Sequence, residues 1–140
     1  MIAYFDTSAI VPLLVDEIGT QSAGDIWDQA DRLVSVRLAH VETRAALSQA
    51  ARLRRISPQL LRSSVRELED LFDQIDMVEV DEDLIREAGD LAEDQGLRAY
   101  DAVHLAAARR LDDLDVIVVA GDRALLAAAE ALGMSVAAIG

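Results

Sequence analysis

Several residue types and patterns are missing from this chain of 140 residues, which contains no cysteine and no lysine. Without cysteine it can form neither a disulfide nor a thiolate metal site, as is typical of proteins in a reducing cytoplasm. No apolar run reaches the length of a membrane span, and acids interrupt the apolar residues near the N-terminus, so we expect no membrane partner and no signal peptide. Because apolar residues make up 52% of the chain, we expect one folded domain over residues 1–140.

Negative charge dominates the chain but is unevenly distributed. The formal net charge of −13 disfavours nonspecific binding to nucleic acid. Residues 37–66 nevertheless hold seven arginines and one acid, whereas residues 67–94 hold thirteen acids and one arginine. This asymmetry predicts either ion pairs between the two segments or a basic surface that can bind a polyanion.

Short apolar stretches alternate with amphipathic ones along the chain. Runs of branched and apolar residues predict strands at 2–5, 33–36, 77–80 and 116–119, with an edge strand at 135–139. Apolar residues at spacings of three and four predict helices at 9–15, 19–31, 38–54, 58–72, 81–96, 99–111 and 124–132. The alternation predicts an α/β fold with a central, mostly parallel sheet of four to five strands and helices on both faces.

Four acidic residues stand where a parallel sheet would bring them to one edge. Asp6 follows the first strand and Asp122 follows the 116–119 strand, while Asp101 opens one helix and Glu42 interrupts another that is otherwise apolar and basic. Each has a structural explanation by itself, as a helix cap, a first-turn acid or an ion-pair partner. Together they predict a carboxylate cluster, because ligands bind at the carboxyl edge of such sheets.

Carboxylates that lie close together repel one another. Two unit charges about 4 Å apart repel by about 1 kcal/mol in water and by several times that near a protein surface. A cluster of four therefore needs raised pKa values or a bound cation. Oxygen ligands without sulfur suit Mg²⁺ or Mn²⁺, which activate water and stabilise charge on a phosphate during hydrolysis. The candidate metal-binding and catalytic residues are Asp6, Glu42, Asp101 and Asp122.

The arrangement of these acids resembles the PIN-domain ribonucleases, and most closely the VapC toxins of bacterial toxin–antitoxin pairs. The motifs that carry the resemblance are Asp6-Thr7-Ser8 after a strand, Glu42 in the third helix, Arg98-Ala99-Tyr100-Asp101-Ala102-Val103-His104, and Gly121-Asp122-Arg123. The resemblance covers nearly the whole chain. It implies a PIN-like fold, a metal-dependent endoribonuclease of the cytoplasm, an RNA substrate, a cognate antitoxin and a homodimer.

The resemblance also implies roles for the neighbours of the acids. Thr7 or Ser8 would hold Asp6 or a metal-bound water, and Arg98 would contact a phosphate or steady the carboxylates, unless it is only a surface arginine. The family often has Ser or Thr two residues before the fourth acid, where this chain has Ala120. We therefore expect Asp122 to be held less firmly than in typical members.

The two histidines are interpreted differently from the acids. His104 lies one turn after Asp101 on the same helix face, so a shared metal is conceivable, but packing or hydrogen bonding inside the fold is the favoured interpretation. His40 should point elsewhere on its helix and is given no role. Under the nuclease interpretation, the arginines near the tip of the helical hairpin become candidates for RNA contacts: Arg52, Arg54 and Arg55.

Two other classes of protein remain open at this point. An aspartyl-phosphate protein, either a phosphatase of the haloacid-dehalogenase type or a receiver domain, would use Asp6 as its nucleophile. Both types normally need a lysine, which is absent, and the phosphatase needs an acid where Ser8 stands. The second class is a catalytically weak or inactive binding module with a PIN-like fold, which Ala120 favours. Metal-dependent hydrolysis separates that class from a nuclease.

Overall fold

A computed structural model describes residues 1–111 and 115–140. Within these residues the strands are β1 Ile2–Phe5, β2 Arg32–Val36, β3 Asp76–Val78, β4 Val116–Ala120 and β5 Ser135–Ala138. The helices are α1 Thr7–Leu14, α2 Thr20–Gln29, α3 Leu38–Arg52, α4 Pro58–Asp73, α5 Glu82–Gln95, α6 Ala99–Arg109 and α7 Arg123–Ala131. Strands and helices alternate, as the sequence predicts.

The five strands form one sheet in the order β3-β2-β1-β4-β5, and every neighbouring pair is parallel. This confirms the predicted α/β fold, for which four to five strands were expected. The strand β1 lies at the centre, with β2 on one side and β4 on the other. The strand order therefore reverses beside β1, and in such sheets the crevice outside the carboxyl ends at this point is the usual ligand site.

Consecutive residues of the central strands are buried, which shows that helices cover both faces of the sheet. Ala3, Tyr4 and Phe5 of β1 are all fully buried, as are Val118 and Val119 of β4. Successive side chains of a strand point to opposite faces, so such a run is buried only when both faces are covered. The same apolar runs were the basis for predicting the strands.

Short polar residues fix the ends of several helices. Asp6, Ser57, Asp81 and Asp122 each precede a helix and accept a hydrogen bond from a backbone N–H in its first turn. Gly96 ends α5 in the left-handed conformation, with φ of 65°, which a residue without Cβ adopts readily. The predicted helix start at residue 58 is confirmed, and the predicted limits at 81 and 96 are the two caps of α5.

Most predicted boundaries differ from the structure by one or two residues, and two of these differences have a clear physical reason. The helix α3 ends at Arg52, before the expected residue 54, because Arg54 adopts a left-handed conformation with φ of 59°. The strand β3 ends at Val78 rather than at 80, because its partner β2 ends at Val36, which pairs with Val78. No helix among the described residues is long and apolar enough to cross a membrane.

Candidate active site

One pocket of about 440 Å³ at the carboxyl edge of the sheet collects the predicted site residues. Its lining consists of Asp6, Thr7, Ser8, Glu42, Arg98, Ala99, Tyr100, Asp101 and Asp122. All four predicted acids are therefore brought together, from the ends of β1 and β4 and from α3 and α6. The topology explains this, because β1 and β4 are adjacent and both deliver an acid just past their carboxyl ends.

Asp6 is buried and serves both as the cap of α1 and as a member of the cluster. Its Oδ2 accepts a hydrogen bond from the backbone N–H of Ser8 at 3.3 Å and another from the Ser8 hydroxyl. The Ser8 hydroxyl oxygen in turn accepts a hydrogen bond from the N–H of Gly121 at 2.8 Å. Ser8 therefore contacts Asp6 and also connects α1 to the loop after β4.

Thr7 contacts Glu42, whereas Ser8 contacts Asp6. The Thr7 hydroxyl donates a hydrogen bond to Oε1 of Glu42 at 3.0 Å. Glu42 also lacks the arginine partner that seemed a structural explanation for it, within the described part of the chain. Its partners are Thr7 and His104, whose Nε2 lies 2.7 Å from the same Oε1. Glu42 is thus turned towards the cluster rather than along the basic face of α3.

Arg98 bridges the remaining two acids. Its guanidinium lies 3.3 Å from Oδ2 of Asp101 and 3.3 Å from Oδ2 of Asp122. Burial, followed by the charge of Asp122, raises the pKa of the Asp101 carboxyl, and Arg98 only partly offsets this. Of the two expectations for Arg98, the structure shows the contact with carboxylates.

The expectation that Ala120 leaves Asp122 weakly held is not matched by the contacts of that acid. Ala120 is fully buried at the end of β4 and supplies no hydroxyl. Asp122 instead accepts a hydrogen bond from the N–H of Leu125 on Oδ1, at 3.0 Å, and contacts Arg98 through Oδ2. Both oxygens therefore have partners, and the Ser8 hydroxyl accepts a hydrogen bond from Gly121, the residue before Asp122.

Sequence reasoning placed His104 inside the fold, and the structure shows how closely it approaches the acids. The side chain is almost fully buried, with Nε2 near Glu42 and 3.2 Å from Oδ1 of Asp6. Burial lowers the pKa of the imidazole, but the hydrogen bond that the ring donates to Glu42 and the nearby acidic charges outweigh that effect and raise it. The contact with two acids was not foreseen, since spacing along one helix cannot reveal contacts with other elements.

The donor set of this pocket fits a hard divalent cation by its chemistry. The lining side chains offer carboxylate and hydroxyl oxygens and no sulfur, which are the ligands of Mg²⁺ and Mn²⁺. Within residues 1–111 and 115–140, however, no three Asp, Glu or His side chains are arranged as a ready metal-binding group. The acids are instead held by an ion pair with Arg98 and by contacts with the imidazole of His104.

The candidate RNA-contacting arginines lie away from this pocket. Arg52, Arg54 and Arg55 are exposed where α3 turns into α4, and they form no ion pair within the described residues. The predicted pairing between the basic and acidic segments is found for Arg37, which contacts Glu79 at 2.7 Å. The hairpin tip is therefore a surface with free positive charge.

Comparison with known proteins agrees with this geometry. The PIN domain family model matches residues 3–131. Ribonuclease VapC45 of Mycobacterium tuberculosis is 40% identical over 136 residues, which cover 97% of this chain and 94% of the relative. The chain therefore belongs to the PIN-domain family, and within that family to the VapC ribonucleases.

Solved structures share the fold. PAE2754 from Pyrobaculum aerophilum superposes with a TM-score of 0.67 at 25% identity, covering 91% of this chain and 84% of that one. VapBC2 from Rickettsia felis, solved bound to a DNA fragment from its promoter, gives a TM-score of 0.64 at 11% identity and covers all of both chains. At such low identity the second likeness concerns the fold alone.

Proposed function

We propose that the protein is the toxin of a toxin–antitoxin pair and acts as a metal-dependent endoribonuclease. The observation that carries this proposal is the single pocket lined by Asp6, Glu42, Asp101 and Asp122 at the reversal point of the sheet. A relative with 40% identity that is named a ribonuclease supports the substrate class. Hydrolysis would leave a 5′-phosphate and a 3′-hydroxyl.

In this proposal the four acids hold Mg²⁺ or Mn²⁺. The cation, when bound, activates water and stabilises the charge that develops on the phosphate. Ser8 keeps Asp6 fixed through its hydroxyl and its backbone N–H. Arg98, whose side chain is 81% exposed, can leave its two carboxylates and donate hydrogen bonds to a phosphate oxygen.

Two other functions compete with this one. An inactive binding module would keep the fold, and the bridging of Asp101 and Asp122 by Arg98 favours it, because a guanidinium there already neutralises part of the acidic charge. An aspartyl-phosphate enzyme is disfavoured, because the chain has no lysine and belongs to another family.

The test is incubation of the purified protein with total RNA in Mg²⁺, in Mn²⁺ and in excess chelator, followed by mapping of the new ends. We expect cleavage with either metal, none with chelator, and 5′-phosphate ends. Asp101→Asn, purified identically, controls for contaminating nuclease. Equal cleavage by the wild type and this variant, or no cleavage in either metal, would contradict the proposal and favour the binding module.

We propose that the hairpin tip attracts RNA towards the acidic pocket. The tip arginines Arg52, Arg54 and Arg55 are exposed and unpaired within the described residues. Glu42 lies on the same helix, about 15 Å from Arg52 along its axis at a rise of 1.5 Å per residue. A backbone that crosses α3 could therefore contact both the tip and the pocket.

We propose an antitoxin partner and a homodimer on separate grounds. The likeness to the VapC ribonucleases supports the antitoxin, and the acidic pocket is suited to a basic side chain inserted by such a partner. Exposed Val41 and Val80 share a cavity of about 640 Å³ with Leu38 and Phe72, and the remaining lining residues are charged or polar. This mixed face is a candidate contact for a second copy.

Co-expression with the candidate antitoxin, a small protein encoded by a neighbouring gene, should abolish toxicity. Light scattering at micromolar concentration should show a dimer that Val41→Glu dissociates. Unchecked toxicity would contradict the antitoxin proposal, and a monomeric wild type would contradict the dimer.

We also propose that residues 1–140 form one domain in the cytoplasm, where RNA is available. One sheet and one hydrophobic core join the described elements, so thermal unfolding should show a single transition. Two separate transitions would contradict the single domain, and recovery of the protein outside the cytoplasmic fraction would contradict the location.

A further inference from the structure

His104 makes more polar contacts with the candidate site than packing alone requires. Its side chain is 1% exposed, yet the two ring nitrogens contact Tyr4, Glu42, Asp6 and Thr7. A buried polar side chain with this many partners must be oriented by them, because any rotation would leave several groups unsatisfied. The imidazole therefore has one defined orientation.

The contacts of the imidazole indicate which ring nitrogen donates a hydrogen bond. Nε2 faces carboxylate oxygens of Glu42 at 2.7 Å and of Asp6 at 3.2 Å. Carboxylates only accept hydrogen bonds, so we assign the proton to Nε2, which donates. Nδ1 lies 2.9 Å from the hydroxyl of Tyr4, a fully buried residue of β1. Tyr4 of the central strand thus orients the imidazole ring, and the ring in turn contacts both Glu42 and Asp6.

We propose that His104 is a positioning residue that holds the carboxylates of Glu42 and Asp6 towards one another for cation binding, an inference that rests on the proposed function. Glu42 comes from α3 and Asp6 from the end of β1, and the two charges repel. A single N–H between them offsets this repulsion. Removing the imidazole frees Glu42 to rotate away from the pocket.

The burial of these groups distinguishes a positioning role from a ligand role. The side chain of Glu42 is 19% exposed and that of Asp6 is 5% exposed, whereas His104 is 1% exposed. His104 does not line the pocket that contains both acids. The ring therefore lies behind the carboxylates and acts on a bound cation through them. Substitution of a residue in such an outer position typically lowers metal affinity by 10- to 100-fold.

The other histidine of the chain provides a matched control. His40 also contacts a glutamate, with Nε2 2.7 Å from Oε1 of Glu69, and its ring also packs edge-on against an aromatic ring, that of Phe72. The Tyr4–His104 pair has the same edge-on geometry. The contacts of His40 lie in a different cavity, so a general effect of losing a histidine–glutamate contact would appear in both.

The experiment measures binding of Mn²⁺ alone to RNA-free protein, by calorimetry or by the electron paramagnetic resonance signal of free Mn²⁺. The variants are His104→Leu, which removes every hydrogen bond, His104→Gln, which retains an N–H donor, Tyr4→Phe, which removes one hydroxyl, and His40→Leu. We expect His104→Leu to weaken Mn²⁺ binding about tenfold or more, His104→Gln to restore part of that loss, and Tyr4→Phe to weaken it several-fold. His40→Leu should bind Mn²⁺ as the wild type does.

Far-ultraviolet circular dichroism establishes that each variant is folded. Unchanged or tighter Mn²⁺ binding by folded His104→Leu overturns the inference, as does an equal loss in His40→Leu. If His104→Leu does not fold, Tyr4→Phe decides, because the ring of Tyr4 is retained; unchanged binding overturns the inference. RNA cleavage by the wild type is assayed in parallel. An inactive wild type contradicts the proposed function, whereas an active wild type with an unaffected His104→Leu contradicts only the positioning role.

Discussion

The hydroxyl oxygen of Ser8 accepts a hydrogen bond from the backbone N–H of Gly121 at 2.8 Å, across 113 positions of the chain. This contact joins the start of α1 to the loop that carries Asp122. Ser8 thus supplies a hydroxyl next to Ala120, although from a different element.

Ser8→Ala should lower RNA cleavage about tenfold, because Asp6 loses one donor and the loop at Gly121 loses its acceptor. Thermal stability should fall only slightly, since the contact lies at the pocket edge. The measurement is kcat with Mg²⁺ at saturating RNA. Ser63→Ala removes a surface hydroxyl that bonds only to the Leu60 carbonyl, and it should leave kcat unchanged. Full activity of Ser8→Ala would argue against this role.

Asp101→Asn should reduce cleavage at least a hundredfold while leaving thermal stability equal or higher. Burial and the charge of Asp122 raise the pKa of the Asp101 carboxyl above its ordinary value of 3.8. An acid whose pKa is raised by folding favours the folded state at low pH and loses that contribution as pH rises through the folded pKa. The stability advantage of the variant should therefore be present at neutral pH and vanish below pH 3.8.

If the variant is less stable than the wild type at pH 7, the contact of Asp101 with Arg98 stabilises the fold by more than burial and the charge of Asp122 destabilise it. Retained metal-dependent activity in the same variant would remove Asp101 from the catalytic set.

Arg54→Gly combined with Arg55→Ala should weaken RNA binding without destabilising the fold. Arg54 has φ of 59°, a conformation that glycine adopts with less strain, so the substitution removes a charge while relieving the backbone by about 1 kcal/mol. If each of the two arginines contacts one phosphate, the negative slope of log affinity against log salt concentration should become shallower by about 1.4 for single-stranded RNA. The measurement is RNA affinity over a range of salt concentrations.

The charge-matched control is Arg32→Ala with Arg86→Ala, which removes two arginines that pair with Asp76 and Glu82. It should leave the salt slope unaltered. Equal slopes for the tip variant and the wild type would assign the hairpin arginines no part in RNA binding.

Asp81→Asn should lower stability at neutral pH, with a loss that disappears in acid. The ion pair with Arg110 and the N–H of Leu84 lower the pKa of the Asp81 carboxyl below 3.8. An acid with a lowered folded pKa stabilises the fold above its unfolded value, and this contribution is lost as pH falls through the folded pKa. Urea unfolding at pH 7 and below pH 3 measures the difference. Asp83→Asn, in the same first turn of α5, is the control.

Much of the fold could be predicted from the sequence because its signals are local. Ser57 before Pro58 marks the start of α4, Gly96 marks the end of α5, and the branched run at 116–119 marks a buried strand. The end of α3 was missed, because the left-handed residue there is an arginine and not a glycine. Strand β3 was misplaced because its length is set by the end of its partner β2.

The candidate site was predictable as a set of residues but not as a set of contacts. The order of elements sufficed to bring Asp6 and Asp122 to one edge, since their strands are adjacent. Pairings between distant elements leave no periodic signal, so the contacts of Thr7 with Glu42 and of His104 with both Glu42 and Asp6 became visible only in three dimensions.

Neither edge strand of the sheet offers many backbone groups for pairing with a strand from another chain. The strand β3 at one margin has three residues and β5 at the other has four, so each exposes only a few backbone groups to an incoming chain. A second copy or an antitoxin is therefore expected to bind through helix side chains and not by extending the sheet. Amide hydrogen exchange in β3 and β5 should accordingly stay the same when the complex forms.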